Sequence, residues 1–155
     1  MVSVPFPNNG QNKNFKKDFN SENAGLVPPQ NVQAEEAVLG GILLDPDAIG
    51  RIADLIKPEA FYINAHQEIY RTALMLHTQG KPTDLTSMSA WLADNGSLEK
   101  IGGNSKLVEL VENVSSTASI EQVANLINDK FMRRQLIRSG NEVVQLGFDQ
   151  TQDTN

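Results

Sequence analysis

Apolar residues crowd most densely between Ala37 and Leu44, where Ala37, Val38, Leu39, Gly40, Gly41, Ile42, Leu43 and Leu44 follow one another without a polar interruption. A surface helix has one buried stripe, so a helix that is apolar almost all the way round belongs at the centre of a bundle. Asn31 can offer its side-chain oxygen to the free N–H groups of a first turn, and Glu35 and Glu36 fall where the helix dipole favours negative charge. The pattern predicts a central helix beginning near Val32. Gly40 and Gly41 each cost about 1 kcal/mol of helix propensity relative to alanine, which is rationalised if another helix backbone passes close by.

Five further helices follow from the same kind of reading. Asp45-Pro46 reads as a cap with proline at the first helical position, and Ile49, Ile52, Ala53 and Ile56 repeat at helical spacing until Pro58 stops them. Phe61 and Tyr62 in the next turn read as core anchors. Asn64 with Gln67 resembles a capping box for a helix carrying Ile69, Tyr70, Ala73, Leu74 and Leu76 inward and ending at Gly80. Asp84 caps a fourth, with Leu85, Met88, Trp91 and Leu92 inward and Asn95-Gly96 as its stop. After Gly102-Gly103, a short fifth carries Leu107, Leu110, Val111 and Val114. The polar Ser115 to Thr117 separates it from a long sixth, capped by Ser119 with Gln122 and unbroken until Gly147. No stretch alternates as a strand would. The expected architecture is all-α, a compact head of about five helices over residues 28–117 and one long helix over 118–148. Residues 1–27 hold many Asn and Lys, three scattered Phe and no period, and read as a tail that cannot offset its ordering entropy. A transit peptide is disfavoured there by the absence of Arg and the presence of Asp18 and Glu22.

Composition narrows the function. A chain of 155 residues with 39% hydrophobic residues fits one domain with its own core. A net charge of −6 gives no footprint for sequence-independent binding to phosphate backbones. Cysteine is absent, which excludes disulfides, thiolate zinc sites and cysteine nucleophiles and fits a reducing compartment. No apolar run approaches the roughly 20 residues of a membrane span, and no signal-peptide core is visible, so a soluble cytoplasmic protein is expected. Gly80-Lys81 is not a phosphate loop, because Met75 stands where its first glycine is needed and Pro82 where its Ser or Thr is needed. His66 and His77 are roughly 16 Å apart along one helix, too far to share a metal. The carboxylates, Glu35 and Glu36 included, read as solvated faces or caps. Lys130, Arg133, Arg134 and Arg138 form the one basic patch. It reads as a solvated face in which Glu142 pairs with Arg138, with an anion or nucleic-acid contact as the alternative. No cofactor, metal or catalytic constellation is expected in this chain.

Read together, PPQNVQAEEAVLGGILLDPDAI, FYINAHQEIYRTALML, GKPTDLTSMSAWL, LEKIGG and FMRRQLIRSGNEVVQLGFD resemble, in order and from Pro28 to Asp149, the N-terminal domain of the bacterial replicative DNA helicase DnaB. The resemblance implies a helical head followed by a helical hairpin, of which the long helix is the first arm. It implies pairing between subunits as a dimer or within a hexameric ring, and docking of a DnaG-type primase and, in some systems, a helicase loader. ATP and Mg belong to a RecA-like domain further along such proteins, and residues 149–155 then read as a truncation point. The primase surface implied lies near Gln33 and the loop containing Lys106. Where relatives carry a pattern like IGGFAYL, this chain has Ile101, Gly102, Gly103, Asn104, Ser105, Lys106 and Leu107, so polar pairing or a weaker self-contact is expected in place of an aromatic contact. The rivals are an independent helical DNA-binding module, which would need a recognition helix rich in Arg and Lys, and a small enzyme, for which no candidate residues exist.

The long helix adds an expectation from its own period. Ile120, Val123, Ala124, Ile127 and Phe131 share the side that faces the head, and that row stops at Arg134. Beyond it, Met132, Leu136, Val143 and Leu146 centre about half a turn away, while Arg134, Arg138, Glu142 and Gln145 take the side that was apolar. Two readings follow: a break near Arg133 that folds the outer half back on the head, or a continuous helix offering Met132, Leu136, Val143 and Leu146 to another helix. The second predicts self-association through that stripe.

Overall fold

The computed structural model describes residues 25–115 and 118–151. The expected tail up to residue 24, the separator at Ser116 and Thr117, and residues 152–155 lie outside them. Among the described residues there are six α-helices, two 3₁₀ turns and no strand. The central helix, α1, spans Val32–Leu44, and Asn31 Oδ1 accepts from Ala34 N at 3.0 Å as its cap. Val38, Leu39, Ile42 and Leu43 are buried on it.

The close crossing predicted by the double glycine is confined to Gly40. A Cβ there would overlap the Leu110 carbonyl oxygen and Val114 Cγ2, so the partner is α5, Gly103–Glu112. A Cβ at Gly41 would make only an ordinary 3.5 Å contact with Ile120. At the far end of α1, the residue four after Ile42 is Pro46, which has no N–H to give. The buried Thr83 supplies the donor, its Oγ1 reaching the Ile42 carbonyl at 2.9 Å.

Pro46 does not open the second helix. Asp45 closes α1 through its N–H to the Gly41 carbonyl, and its Oδ1 accepts from Asp47 N at 3.0 Å, a local turn that delays the helix. Helix α2 is therefore only Ala48–Ile52, with Ile49 and Ile52 buried, and Ile56 enters the core from the turn beyond it. Helix α3, Asn64–Thr78, buries Ile69, Tyr70, Ala73 and Leu76. The Tyr70 ring packs 4.9 Å from that of Phe61, and its hydroxyl donates to the Ile56 carbonyl at 3.1 Å. Burial, and then the charge of Asp54, pushes this phenol well above its ordinary pKa.

Helix α4, Leu85–Asp94, starts on Asp84 Oδ1 and turns Met88 and Leu92 into the core. It ends at Asn95 and Gly96, where φ is 68° and Ser97 N reaches back to the Leu92 carbonyl at 2.8 Å. On α5, Leu107 and Leu110 are buried. Helix α6, Ile120–Phe148, runs 29 residues without interruption from the Ser119–Gln122 capping box. The break near Arg133 is thus absent. Its buried residues are Val123, Ala124 and Ile127, with Ile120 and Phe131 packed beside them, so the head holds only its first half.

Candidate protein-interaction surfaces

The placement of α6 on the head depends on an irregular turn, Ala60–Ile63, whose backbone groups find no partners in a regular ladder and must be satisfied by side chains. Glu35 of α1 accepts from Tyr62 N at 2.6 Å and Ile63 N at 3.4 Å, and also from His66 Nδ1 at 2.8 Å. Gln67 Nε2 donates to the Phe61 carbonyl at 2.7 Å. Arg134 of α6 donates from Nη2 to the Ala60 carbonyl at 2.7 Å and from Nη1 to the Pro29 carbonyl at 2.8 Å. Its guanidinium also lies over the Tyr62 and Phe131 rings, 5.5 and 5.8 Å from their centroids.

Four expectations are corrected at this junction. Glu35 is no solvated carboxylate but 1% exposed. Asn64 forms no capping box; Ile63 is the N-cap residue, and Glu35 serves the incoming backbone from another helix. Tyr62 is only partly buried, a platform for Arg134 rather than a core anchor. Arg134 leaves the solvated face to tie α6 down. The acidic pair gave no signal to separate Glu35 from Glu36, because only the packing of α3 decides which of two adjacent side chains points inward.

Beyond Arg134 no residue of α6 is buried. Met132, Leu136, Val143 and Leu146 share one side and are 57%, 70%, 67% and 53% exposed. A second apolar row was not seen in the sequence: Ile137 and Val144 flank the side of Arg134, Arg138 and Asn141. With Leu26, Val27 and Pro28 they line an open groove of about 1400 Å³. The basic patch is largely neutralised. Arg133 Nε donates to Asp129 at 2.9 Å, Lys130 stands 4.0 Å from the same carboxylate, and Arg138 Nε meets Glu142 at 3.3 Å, the pair expected from spacing. The Arg133 hydrogen bond, then the charges of Arg133 and Lys130, hold the Asp129 carboxyl below its ordinary pKa.

Gln33 is exposed on the first turn of α1. Lys106 lies within α5 rather than in the loop expected, because the helix already starts at Gly103, and it reaches Glu36, one turn further along α1, at 3.3 Å and Glu109 at 3.7 Å. The structure therefore places Gln33 one helical turn from the Glu36 that Lys106 reaches. Nearby, Ser89 Oγ donates to Asn104 Oδ1 within the chain. His66 is buried against Glu35 and His77 is exposed. Among the described residues no three His, Asp or Glu side chains gather to hold a metal. No described helix is long and apolar enough to cross a membrane.

Against known proteins, the family described as the DnaB-like helicase N terminal domain matches residues 27–129. The replicative DNA helicase DnaB of Nostoc sp. is 53% identical over 131 residues, 84% of this chain and 15% of that protein. The chain thus spans a small part of its relative's length. The crystal structure of the N-terminal domain of DnaB helicase from Mycobacterium tuberculosis superposes with a TM-score of 0.77 at 37% identity, covering 81% of this chain and 91% of that one. A DnaB-like replicative helicase whose structure was described with its interactions with primase gives a TM-score of 0.66 at 32% identity, covering 74% of this chain and 27% of that one.

Proposed function

The chain belongs to the DnaB-like helicase N-terminal domain family, and from that premise we propose that it is the non-catalytic assembly and primase-docking module of a ring-shaped replicative DNA helicase. The observation that carries the assembly role is the outer half of α6, an unbroken helix held at Arg134 that presents Met132, Leu136, Val143 and Leu146 to solvent. Another helix laid on that stripe, from a second subunit, would remove it from water. Catalysis resides elsewhere in such proteins, since this sequence has no phosphate loop to cradle a nucleotide. Direct DNA binding is disfavoured by the negative net charge and by the pairing of Lys130, Arg133 and Arg138 with carboxylates.

Docking of a DnaG-type primase rests on the relative described with primase and on the neighbourhood of Gln33, Glu36 and Lys106. Capture of the cognate primase C-terminal domain tests it, with weaker capture expected for the Gln33→Ala, Lys106→Ala double variant. Unchanged capture removes those two residues from the interface, and no capture by the wild type removes the docking role. Assembly is tested separately by sedimentation. A concentration-dependent dimer is expected, shifted to monomer by Leu136→Asp or Val143→Asp because a buried unpaired carboxylate costs several kcal/mol. A wild type that stays monomeric at high concentration would refute it.

A further inference from the structure

Helix α4 ends on the dipeptide in which asparagine is chemically least durable. In Asn-Gly the following backbone nitrogen has no Cβ beside it to hinder its approach to the asparagine side chain, and the glycine backbone turns freely. Asn95 and Gly96 are both exposed, and the space where a Gly96 Cβ would stand is open. We propose that Asn95 is a site of spontaneous deamidation, that the end turn of α4 gates it, and that the reaction, once made, leaves the gate open.

In the step, Gly96 N gives up its proton and bonds to Asn95 Cγ, the Cγ–Nδ2 bond breaks, and Nδ2 leaves as ammonia. Water then opens the succinimide ring at one carbonyl or the other, giving aspartate or isoaspartate. The folded turn opposes the first bond. Gly96 N donates to the Ala93 carbonyl at 3.1 Å, and Asn95 Nδ2 donates to the Trp91 carbonyl at 2.8 Å. With ψ of Asn95 at 6°, Gly96 N lies on the side of the Asn95 backbone nitrogen, whereas the ring needs it swung round the Cα–C bond toward Cβ. That rotation must displace Ser97 and Leu98, whose N–H groups both reach the Leu92 carbonyl, at 2.8 and 3.1 Å, while the Leu98 side chain packs against the core. Either product weakens the same turn. Aspartate cannot donate to Trp91, and it adds negative charge beside Asp94 at the negative end of the helix dipole. Isoaspartate puts an extra carbon into the backbone at residue 95, which breaks the register of the bonds to Leu92.

Mass spectrometry of the peptide around Asn95, with enzymatic methylation to report isoaspartate, follows the conversion in the full-length chain in mildly alkaline buffer. Conversion is expected in the folded chain about tenfold or more slowly than in denaturing urea, since the reactive form exists only while the turn is open. Leu98→Ala should raise the folded rate several-fold and leave the rate in urea alone. Equal rates folded and in urea would overturn the gate, as would an unchanged folded rate in a Leu98→Ala chain of intact helix content. No detectable conversion in the folded chain over many half-times of the urea sample would overturn the site. Asn95→Asp, an exposed substitution that reproduces one product, gives a reading independent of how Leu98→Ala folds. Amide hydrogen exchange at Ser97 and Leu98 is expected to quicken several-fold in it while exchange in α1 stays as it was, and unchanged exchange at Ser97 and Leu98 overturns the proposal.

Discussion

Replacing Glu35 with glutamine preserves its volume and tests whether the buried carboxylate organises the junction. Two of its three contacts, Tyr62 N at 2.6 Å and His66 Nδ1 at 2.8 Å, have the short lengths of charge-assisted bonds, whereas Ile63 N at 3.4 Å is weak. A glutamine can keep accepting from Tyr62, but as a neutral group, losing about 1 kcal/mol of charge assistance. Its other end then becomes a donor facing His66 Nδ1. Either two N–H groups confront each other, or His66 moves its proton to Nε2, which is buried with no hydrogen-bond partner. Both outcomes strand one buried donor, at about 1–3 kcal/mol. The expected loss is therefore about 2–4 kcal/mol, a large share of the roughly 5–15 kcal/mol typical of a domain. The control is Glu36→Gln, next in sequence, whose carboxylate meets Lys106 at 3.3 Å with a side chain 25% exposed. That pair is worth less than about 1 kcal/mol. Urea unfolding followed by far-UV circular dichroism gives both values. If Glu35→Gln comes within about 0.5 kcal/mol of Glu36→Gln, the error range of distant additive effects, the reasoning about the junction is wrong.

Gly40→Ala should destabilise by at least about 1 kcal/mol, because overlap with the immovable Leu110 carbonyl outweighs the gain in helix propensity. Gly140→Ala, where a Cβ meets nothing, should instead gain about 0.5–1 kcal/mol, and equal effects in thermal melts would refute the crossing. Because the Tyr70 phenol is raised when folded, its contribution is intact below its unfolded pKa, near 10, and is lost as pH climbs further. Tyr70→Phe should accordingly flatten the alkaline limb of a stability–pH profile and lower neutral-pH stability by about 1–3 kcal/mol through the orphaned Ile56 carbonyl. An unaltered alkaline limb would assign it to other groups. Arg134→Met should cost about 2–3 kcal/mol through the lost charged hydrogen bonds to Pro29 and Ala60. A cost no greater than that of Arg133→Met, whose partner Asp129 is exposed, would contradict the tie.

The helices were legible wherever a local rule marks them. Asn31, Asp84 and Ser119 cap as their side chains allow, Gly96 stops its helix, and Arg138 finds Glu142 one turn on, all within the reach of a few residues. What escaped depends on partners distant in sequence. Glu35 and Tyr62 are 27 residues apart, and Arg134 and Pro29 are 105 apart, so nothing in either neighbourhood announces the bond. Asn64 with Gln67 satisfied the capping pattern, yet Gln67 serves the Phe61 carbonyl, because that turn's unmet acceptors were closer. The Ile137–Val144 row was hidden by the charges around it; its seven-residue step becomes visible only when Leu26 to Pro28 are seen alongside.

Arg134 is also a fulcrum. Fourteen residues separate it from Phe148 at the end of α6, a cantilever of about 21 Å. Tilting such an arm by about 5° swings its tip sideways by about 2 Å, roughly the rise of one residue along a helix. Small displacements of the Pro29 or Ala60 carbonyls, the two points on which the guanidinium rests, are thus magnified at Val143 and Leu146. The pitch of the arm is set where the head grips the midpoint of this 29-residue helix, so a change in the head's interior is felt first by whatever meets the tip.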